Sequence, residues 1–356
     1  MMRLVAWIVA GITLIAGYLW WTSPIRPVAR HFDSPPPLQG VLSVNSALQR
    51  AVVEGREEIA GGEDIAMDAQ GNLYTGSADG KIWQRTTSGQ WRVFAQGNPL
   101  VRPAGLAVDE QGNLIVCDAF SGLLRVTPQG DITVLVDSFN GERFGLTDDV
   151  DIAPDGRIYF TDATANYTMH NYRLEALEGR PSGRFMRYDP TTGETDLLLD
   201  DLYFANGVAV AKDGSFVLVN ETFAFQTRRV WLSGERAGQS DMWQHNLPGF
   251  PDGISADDQG HFWMALYAPR LPALESLQSL PTLKRILGAL PEALWPKPVA
   301  HGLVLKLDAE GNILQSLHDA TGETMAIVTS AERYGDTLYM GSLVRPGIGM
   351  LTVQAN

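Results

Sequence analysis

Short apolar stretches alternate with glycine turns along most of the chain, from about residue 40 to the end. In the first unit an alternating run begins at Asn72, a turn follows at Asp79-Gly80, and further runs begin at Lys81 and Trp91. An Asp-Gly pair between two alternating runs favours a β-hairpin. Because the order strand, turn, strand, turn, strand recurs downstream, the sequence predicts an all-β protein built from repeated units.

Five of these units share a glycine that opens a strand and a second marked residue eight positions before it. The glycines are Gly71, Gly112, Gly156, Gly214 and Gly260. The residues eight positions earlier are Glu63, Ala104, Asp148, Asn206 and Asp252. Repeats of about 40 to 75 residues that contain several strands are typical of β-propeller blades and their loop insertions.

A sixth unit ends the chain with the runs 336–342 and 347–353, and it lacks one strand. Residues around Leu42 to Glu58 are candidates for the missing outer strand, which would close the ring. We therefore predict a six-bladed β-propeller over residues 41–356, with a helical insertion at about 271–297. A β-sandwich is the alternative, but a sandwich gives no reason for a fixed offset in five units.

The N-terminus carries an uninterrupted apolar run from Leu4 to Trp21, which is long enough to cross a bilayer as a helix. The run ends in Gly-Tyr-Leu-Trp-Trp, without the small residues of a cleavage site. We predict a transmembrane signal anchor at residues 1–22, with a cleaved signal peptide as the alternative. A proline-rich stalk at 23–40 follows.

The charges that flank this anchor are nearly balanced between its two sides. Arg3 and the amino terminus lie on one side, and Arg26 and Arg30 lie on the other, so the positive-inside counts nearly tie. We place the propeller on the extracytoplasmic side, periplasmic or lumenal.

The composition of the chain argues against several classes of function and site. The net charge of −14 provides no basic patch for phosphates, which argues against nucleic acid as a partner. The single cysteine, Cys117, excludes an internal disulfide and any cysteine-rich metal site. It lies in a predicted inner strand, where a buried small hydrophobe is the favoured interpretation.

The residues at the fixed offset carry the candidate chemistry. We place them in the loops that enter the innermost strands, so that Glu63, Asp148, Asn206 and Asp252 converge at one end of the central channel. Blade two contributes Ala104, and blade six contributes a residue near Ile327 to Thr329. Each pair of carboxylates about 4 Å apart would repel by about 4 kcal/mol at an effective dielectric constant near 20. The groups therefore bind protons or share a cation.

An all-oxygen ligand set suits a hard ion, most simply Ca²⁺, with Mg²⁺ or Mn²⁺ as alternatives. Four protein ligands leave room for water and substrate. Asp64 and Asp149, one residue further on, point deeper into the channel and are candidates for a second ion. The competing interpretation is that Asn206-Gly207 and Asp252-Gly253 are ordinary turns.

Leucine and isoleucine recur at helical spacing in the insertion at 271–297, so it needs a surface to cover. A lid on the channel mouth, a membrane surface and the flank of its own blade all remain open. The chain contains no Gly-x-Ser-x-Gly motif, which argues against a serine esterase.

Several motifs together resemble the strictosidine synthase-like and adipocyte plasma-membrane-associated protein-like branch of the gluconolactonase–paraoxonase superfamily of calcium-dependent propellers. They are Arg102–Leu106, Tyr159–Asp162, Phe204–Val208, Glu221-Thr222 with Arg228–Val230, Pro248–Gly253 and Ser316–Asp319. The resemblance covers the chain from about residue 40 to its end. In lactonases of this superfamily the residues matching Glu63, Asn206 and Asp252 bind the catalytic metal. The position of Asp148 is usually Asn there, and Asp64 and Asp149 match a second, structural calcium site.

Two departures limit what the resemblance implies. The paraoxonase catalytic histidine matches Ala104, and the strictosidine synthase glutamate falls near Thr329. What remains is metal-assisted hydrolysis of a lactone or aryl ester, with Asp252 or Asp148 receiving the proton. A non-catalytic, metal-stabilised scaffold is the alternative, and a condensing enzyme is a weaker one.

Overall fold

The computed structural model describes residues 2–353 of the 356-residue chain. Helix α1 spans Met2–Thr22, and short 3-10 helices at Gly40–Leu42 and Ala47–Arg50 lead to strand β1 (Val52–Glu54). Six four-stranded antiparallel sheets follow in a ring, and the first strands of neighbouring sheets contact one another around its centre. The predicted six-bladed β-propeller is confirmed.

The strands of the six blades are as follows. Blade one contains β2 (Ile65–Met67), β3 (Leu73–Gly76), β4 (Lys81–Arg85) and β5 (Trp91–Gln96). Blade two contains β6 (Pro103–Val108), β7 (Leu114–Asp118), β8 (Gly122–Val126) and β9 (Ile132–Val136), and a small hairpin of β10 (Ser138–Phe139) and β11 (Glu142–Arg143) follows it. Blade three contains β12 (Thr147–Ile152), β13 (Ile158–Asp162), β14 (Gly183–Asp189) and β15 (Glu194–Leu202), with helix α2 (Arg173–Glu178) before β14.

Blade four contains β16 (Ala205–Val210), β17 (Phe216–Glu221), β18 (Gln226–Trp231) and β19 (Ser240–Gln244), with a 3-10 helix at Thr222–Ala224. Blade five contains β20 (Gly249–Ala256), β21 (Phe262–Pro269), β22 (Gly302–Leu307) and β23 (Ile313–Asp319). The predicted insertion lies between β21 and β22 as helices α3 (Pro272–Gln278) and α4 (Pro281–Gly288) and a 3-10 helix at Glu292–Leu294. Blade six contains β24 (Val328–Tyr334), β25 (Thr337–Ser342) and β26 (Ile348–Thr352).

Strand β1 closes the ring as the outer strand of blade six. It pairs antiparallel with β26, with Val53 opposite Gly349. The prediction that residues near Leu42 to Glu58 supply the missing strand is therefore confirmed. Buried side chains from adjacent blades, such as Leu218 and Leu305, form the apolar core between the sheets.

The position of the marked residues within each blade differs from the prediction. The strand after each glycine is the second of its blade, and the marked residue lies in the innermost strand or, for Glu63, just before it. The innermost strands carry Asp, Asn and Gly, which are poor strand formers, so their sequences resemble loops. Cys117 accordingly lies in a second strand, β7, where it is buried as expected.

Residues 23–39, called the strap below, contain no helix or strand and lie along the propeller surface. The backbone N–H of Val28 donates to Glu178 O at 2.9 Å, and that of Arg30 donates to Gln278 O at 2.9 Å. The buried Lys284 Nζ donates to Val28 O at 2.6 Å. Helices α2, α3 and α4 therefore hold the chain that leads from α1 to the propeller.

A buried histidine pair supports the N-terminal segment from blade five. His301 Nε2 and His318 Nδ1 lie 3.0 Å apart, and burial lowers the pKa of both, that of His318 to about 4. The backbone N–H of His318 donates to Asn45 Oδ1 at 3.1 Å, and Ser316 Oγ donates to Val41 O at 2.7 Å. Protonation of this pair therefore acts against the docking of the segment that precedes β1.

We expect stability to fall as the pH drops from about 6.5 towards 4, because the unfolded chain binds protons in this range that the buried pair does not. His318→Gln removes one of these groups and should reduce the acid-induced loss in Tm by roughly 2–4 °C. The control is His245→Gln, which changes an exposed histidine. Calorimetry at pH 7 and pH 4.5 measures the effect, and an unchanged loss in His318→Gln would contradict it.

Candidate metal centre and its cavity

The innermost strands of five blades share a β-bulge at the same place. Pairing with the second strand is interrupted after Pro103, Thr147, Ala205, Pro251 and Val328. The next residue in each case is Ala104, Asp148, Asn206, Asp252 or Thr329. Because a bulge turns a side chain out of the regular alternation, the fixed offset in the sequence marks this bulge in blades two to five. Thr329 is the blade-six counterpart, within the predicted range.

The glycines after three of these residues allow neighbouring innermost strands to approach closely. A Cβ atom on Gly207 would lie 2.3 Å from Asp252 O, and one on Gly253 would lie 2.6 Å from Thr329 O. Both glycines lie inside strands, and neither has a positive φ. The interpretation of Asn206-Gly207 and Asp252-Gly253 as turns is therefore wrong.

The structure brings the four predicted ligands together. Glu63, Asp148, Asn206 and Asp252 line one cavity with a volume of about 220 Å³ at the channel mouth. Side chains of the neighbouring blade fix the backbone at these positions. Thr161 Oγ1 donates to Asn206 O at 3.0 Å, Asn220 Nδ2 donates to Asp252 O at 2.6 Å, and Thr329 Oγ1 donates to Glu63 O at 2.7 Å.

The cavity floor is electrostatically unfavourable for carboxylates. Burial raises the pKa of Asp148 well above its usual range, and the charges of Glu63 and Asp252 raise it further. Burial and the charge of Glu63 likewise raise the pKa of Asp252, against the opposing effect of the Asn206 side chain. A hard cation would compensate these charges. Carboxylate and amide oxygens are the ligand type that such a cation prefers, so the residues present fit it.

Arg102, a residue whose role sequence reasoning missed, forms an ion pair with Glu63. Its Nη2 atom lies 2.7 Å from Glu63 Oε2, and its Nη1 atom donates to Gly61 O at 3.2 Å. In residues 2–353 no three His, Cys, Asp or Glu side chains are grouped as ligands of one ion. Glu63 is thus bound to an arginine, and a cation at the cavity floor has to share or replace that partner.

Asp64 and Asp149 lie deeper in the channel, and they also interact with each other. Asp64 Oδ2 accepts from Leu106 N at 2.8 Å, and Asp149 Oδ2 accepts from Val208 N at 2.7 Å. Burial raises the pKa of Asp64 to about 7, although the Leu106 hydrogen bond opposes the rise. Burial and the charge of Asp64 raise the pKa of Asp149. A second ion at this pair stays a prediction.

The acidic lining continues past this pair with Asp151 and Glu332, which the offset pattern did not mark. Burial raises the pKa of Glu332 well above its usual range, and the charges of Asp64 and Asp149 raise it further. The channel is therefore strongly acidic below the cavity floor.

The walls of the cavity are mainly apolar. They include Phe32 of the strap, Phe204, Phe223 and Phe225 of blade four, Phe250 of blade five, Leu274 and Leu277 of α3, and Trp295. Two tyrosines, Tyr172 and Tyr267, also line the cavity. Burial raises the pKa of both hydroxyls, and the charge of Asp252 adds to the rise. The site therefore has an acidic floor, two neutral hydroxyl donors and hydrophobic sides.

Six four-stranded blades with oxygen-bearing side chains at one channel mouth define a six-bladed propeller with a candidate cation site. Family models for strictosidine synthase and for the N-terminal part of strictosidine synthase-like proteins match residues 148–235 and 40–85. Adipocyte plasma membrane-associated protein from Rattus norvegicus is 34% identical, covering 97% of both chains. Protein STRICTOSIDINE SYNTHASE-LIKE 3 from Arabidopsis thaliana is 32% identical, covering 83% of both. The chain belongs to this strictosidine synthase-like family, together with the adipocyte plasma membrane-associated proteins.

Solved structures share the fold at low sequence identity. A gluconolactonase from Xanthomonas campestris superimposes with a TM-score of 0.62 at 18% identity, covering 94% of this chain and 99% of that one. Regucalcin from Agrobacterium tumefaciens, described as a calcium-binding protein, gives a TM-score of 0.57 at 14% identity, covering 83% and 90%.

Asp148→Asn should stabilise the protein when divalent cations are removed by chelation, because it takes one charge from a crowded buried site. The variant's Tm in chelator should exceed that of the wild type, and its further rise on adding calcium should be smaller. Asp200→Asn, at an exposed position, is the control. Thermal melts with chelator and with calcium measure both quantities. A lower Tm of Asp148→Asn in chelator would refute the crowding of charges.

Arg102→Met should destabilise the chelated protein by about 3 kcal/mol, because it leaves Glu63 without its buried partner. Calcium should restore most of this loss if the ion and Arg102 are alternative partners of Glu63. Arg85→Met removes a more exposed ion pair with Glu54 and serves as the control. Chemical denaturation with and without calcium tests the prediction. A variant that calcium stabilises no more than the wild type would contradict it.

Proposed function

We propose that this protein is a metal-dependent hydrolase of lactones or aryl esters, anchored to a membrane by α1. The observation that carries the proposal is the convergence of Glu63, Asp148, Asn206 and Asp252 from four blades at the floor of one apolar cavity. Such a site combines ligands for a hard cation with a hydrophobic surface for an uncharged organic substrate.

These four residues would hold the ion, Ca²⁺ in the first instance and Mg²⁺ or Mn²⁺ as alternatives. When bound, a divalent cation supplies the Lewis-acid polarisation that makes an ester carbonyl more electrophilic. The fold that this chain shares with a gluconolactonase and a calcium-binding regucalcin supports the assignment.

The chain's own residues position the substrate and move the proton. Asp252 or Asp148 accepts a proton from the attacking water, since both carboxylates line the cavity in which the substrate would bind. The Tyr172 and Tyr267 hydroxyls line the same cavity and stay protonated, so they are donors for the oxygens of the substrate. The phenylalanine and leucine walls exclude bulk water and favour an aryl or alkyl ester.

Membrane attachment rests on α1, the one helix among the described residues that is long and apolar enough to cross a bilayer, with a mean hydropathy of 1.8. The relatives named as plasma membrane-associated support the same location. A propeller on the extracytoplasmic side stays part of this proposal.

A non-catalytic scaffold is the second candidate. Ala104 favours it, because this position supplies no proton-accepting side chain and the carboxylates then serve only to hold an ion and to stiffen the channel. A condensing reaction of the strictosidine synthase type is not proposed, because Thr329 provides no carboxylate.

Glu63→Gln and Asp252→Asn should each lower the hydrolysis of phenyl acetate or a simple lactone at least 100-fold, because each removes a charged ligand from the cavity floor. Far-ultraviolet circular dichroism should show that both variants stay folded, and Asp200→Asn should retain full activity. Equal turnover by the variants and the wild type would remove the hydrolase proposal. Calcium-dependent melting without turnover of any ester would select the scaffold.

A further inference from the structure

The end of α1 is fixed against the helical insertion of blade five. Helices α1 and α4 are in contact, and the Arg285 guanidinium lies 3.9 Å from the centre of the Trp20 ring. Ile25 is fully buried, and a Cβ atom on Gly288 would lie 2.6 Å from its Cδ1 atom. The chain therefore passes from α1 into a packed contact with α4 rather than into a free linker.

Large apolar side chains are exposed on this insertion. This apolar rim consists of Leu271, Leu280, Leu283, Leu294 and Val299, and their exposed fractions run from 36% for Leu271 to 66% for Leu294. Leu271 and Val299 also line the cavity described above, so the rim continues into the cavity mouth. An exposed apolar patch beside a cavity is typical of an interaction surface.

The position of α1 indicates that this surface faces a lipid bilayer. A helix of 21 residues is about 32 Å long at 1.5 Å per residue, which matches the hydrocarbon core of a bilayer. Its end, with Trp20 and Trp21, then lies at the level of the lipid headgroups. Since α4 contacts α1 at this end, Leu283 on α4 and the adjoining Leu280 bring the apolar rim close to the same level.

Basic residues near the apolar rim favour its contact with a lipid surface. Although the chain has a net charge of −14, the exposed residues Arg26, Arg180 and Lys297 lie on the strap, after α2 and after the insertion. The Arg180 Nε atom donates to the backbone oxygen of Arg26 at 3.3 Å, so these two residues are neighbours. Basic side chains beside an apolar patch are attracted to anionic lipid headgroups.

We propose that the apolar rim is inserted into the surface of the membrane that α1 crosses, so that the cavity opens to the lipid phase. The substrate class that follows is an ester or lactone with a hydrocarbon chain, dissolved in the bilayer and drawn from it into the apolar walls. This substrate class rests on the proposed hydrolase function, whereas the lipid contact of the rim can be tested without any activity.

The lipid contact is tested with the full-length protein in vesicles of phosphatidylcholine and phosphatidylglycerol, with and without brominated acyl chains. Leu283→Cys is labelled with a fluorescent bimane, and labelling is site-specific because the natural Cys117 is buried. The control is Val134→Cys on β9, an exposed apolar position on another blade. Brominated lipid should quench the label at position 283 at least twofold and leave the label at 134 unchanged.

Two results would overturn the lipid contact. Absence of quenching at 283 would show that the rim stays in water. Disulfide crosslinking of unlabelled Leu283→Cys between two chains, without quenching, would assign the rim to a second copy of the protein.

The substrate route is tested with the double variant Leu280→Glu/Leu283→Glu, whose positions lie outside the cavity lining. Its kcat/KM for a long-chain ester dissolved in vesicles should fall at least tenfold, while phenyl acetate in water should be hydrolysed at the wild-type rate. Leu314→Glu, on the outer strand β23, should leave both rates unchanged. Equal rates for the vesicle-dissolved ester would overturn the route. If the wild type hydrolyses neither ester, the hydrolase proposal fails, and the quenching result still decides the lipid contact.

Discussion

Carboxylate side chains join the innermost strands of neighbouring blades, and the rest of this structure depends on these links. Asp149 Oδ2 accepts a hydrogen bond from Val208 N, and Asp151 Oδ2 accepts one from Val210 N. Asp64 makes the corresponding link from blade one to Leu106 in blade two. The links add specific contacts where blades meet, but they also concentrate negative charge in a narrow channel. Burial of that charge is unfavourable unless a cation binds or the carboxylates take up protons.

The bulges direct side chains at equivalent positions of several blades towards the same channel mouth. Each repeat brings one side chain to the channel mouth, and the residue type then decides what that blade contributes: a carboxylate, an amide, a methyl group or a hydroxyl. The close-approach glycines let the innermost strands lie close enough for these groups to share one cavity. Blades two and six contribute Ala104 and Thr329 at this position, which add no carboxylate to the mouth.

Repetition made the fold and the convergence of the candidate ligands predictable, because a fixed offset over five units reports a shared position in the blade. The ring closure by β1 followed from counting strands. The innermost strands were mistaken for loops, since their Asp, Asn and Gly residues serve contacts between blades rather than strand propensity. The partner of Glu63 was missed because Arg102 precedes its own blade, and only the folded ring brings the two together. Tyr172, Tyr267 and Phe32 reach the cavity from separate insertions with no common spacing, so no pattern in the sequence marked them.

The outer strand of blade six, β1, is the first strand of the ring in chain order, and its partner β26 is the last. During translation β1 therefore has no partner until all the other strands of the ring have been synthesised. The ring thus closes only when the first and the last of its strands meet. Closure of the ring is consequently a late step in folding, and a chain without β26 would have no complete sixth blade.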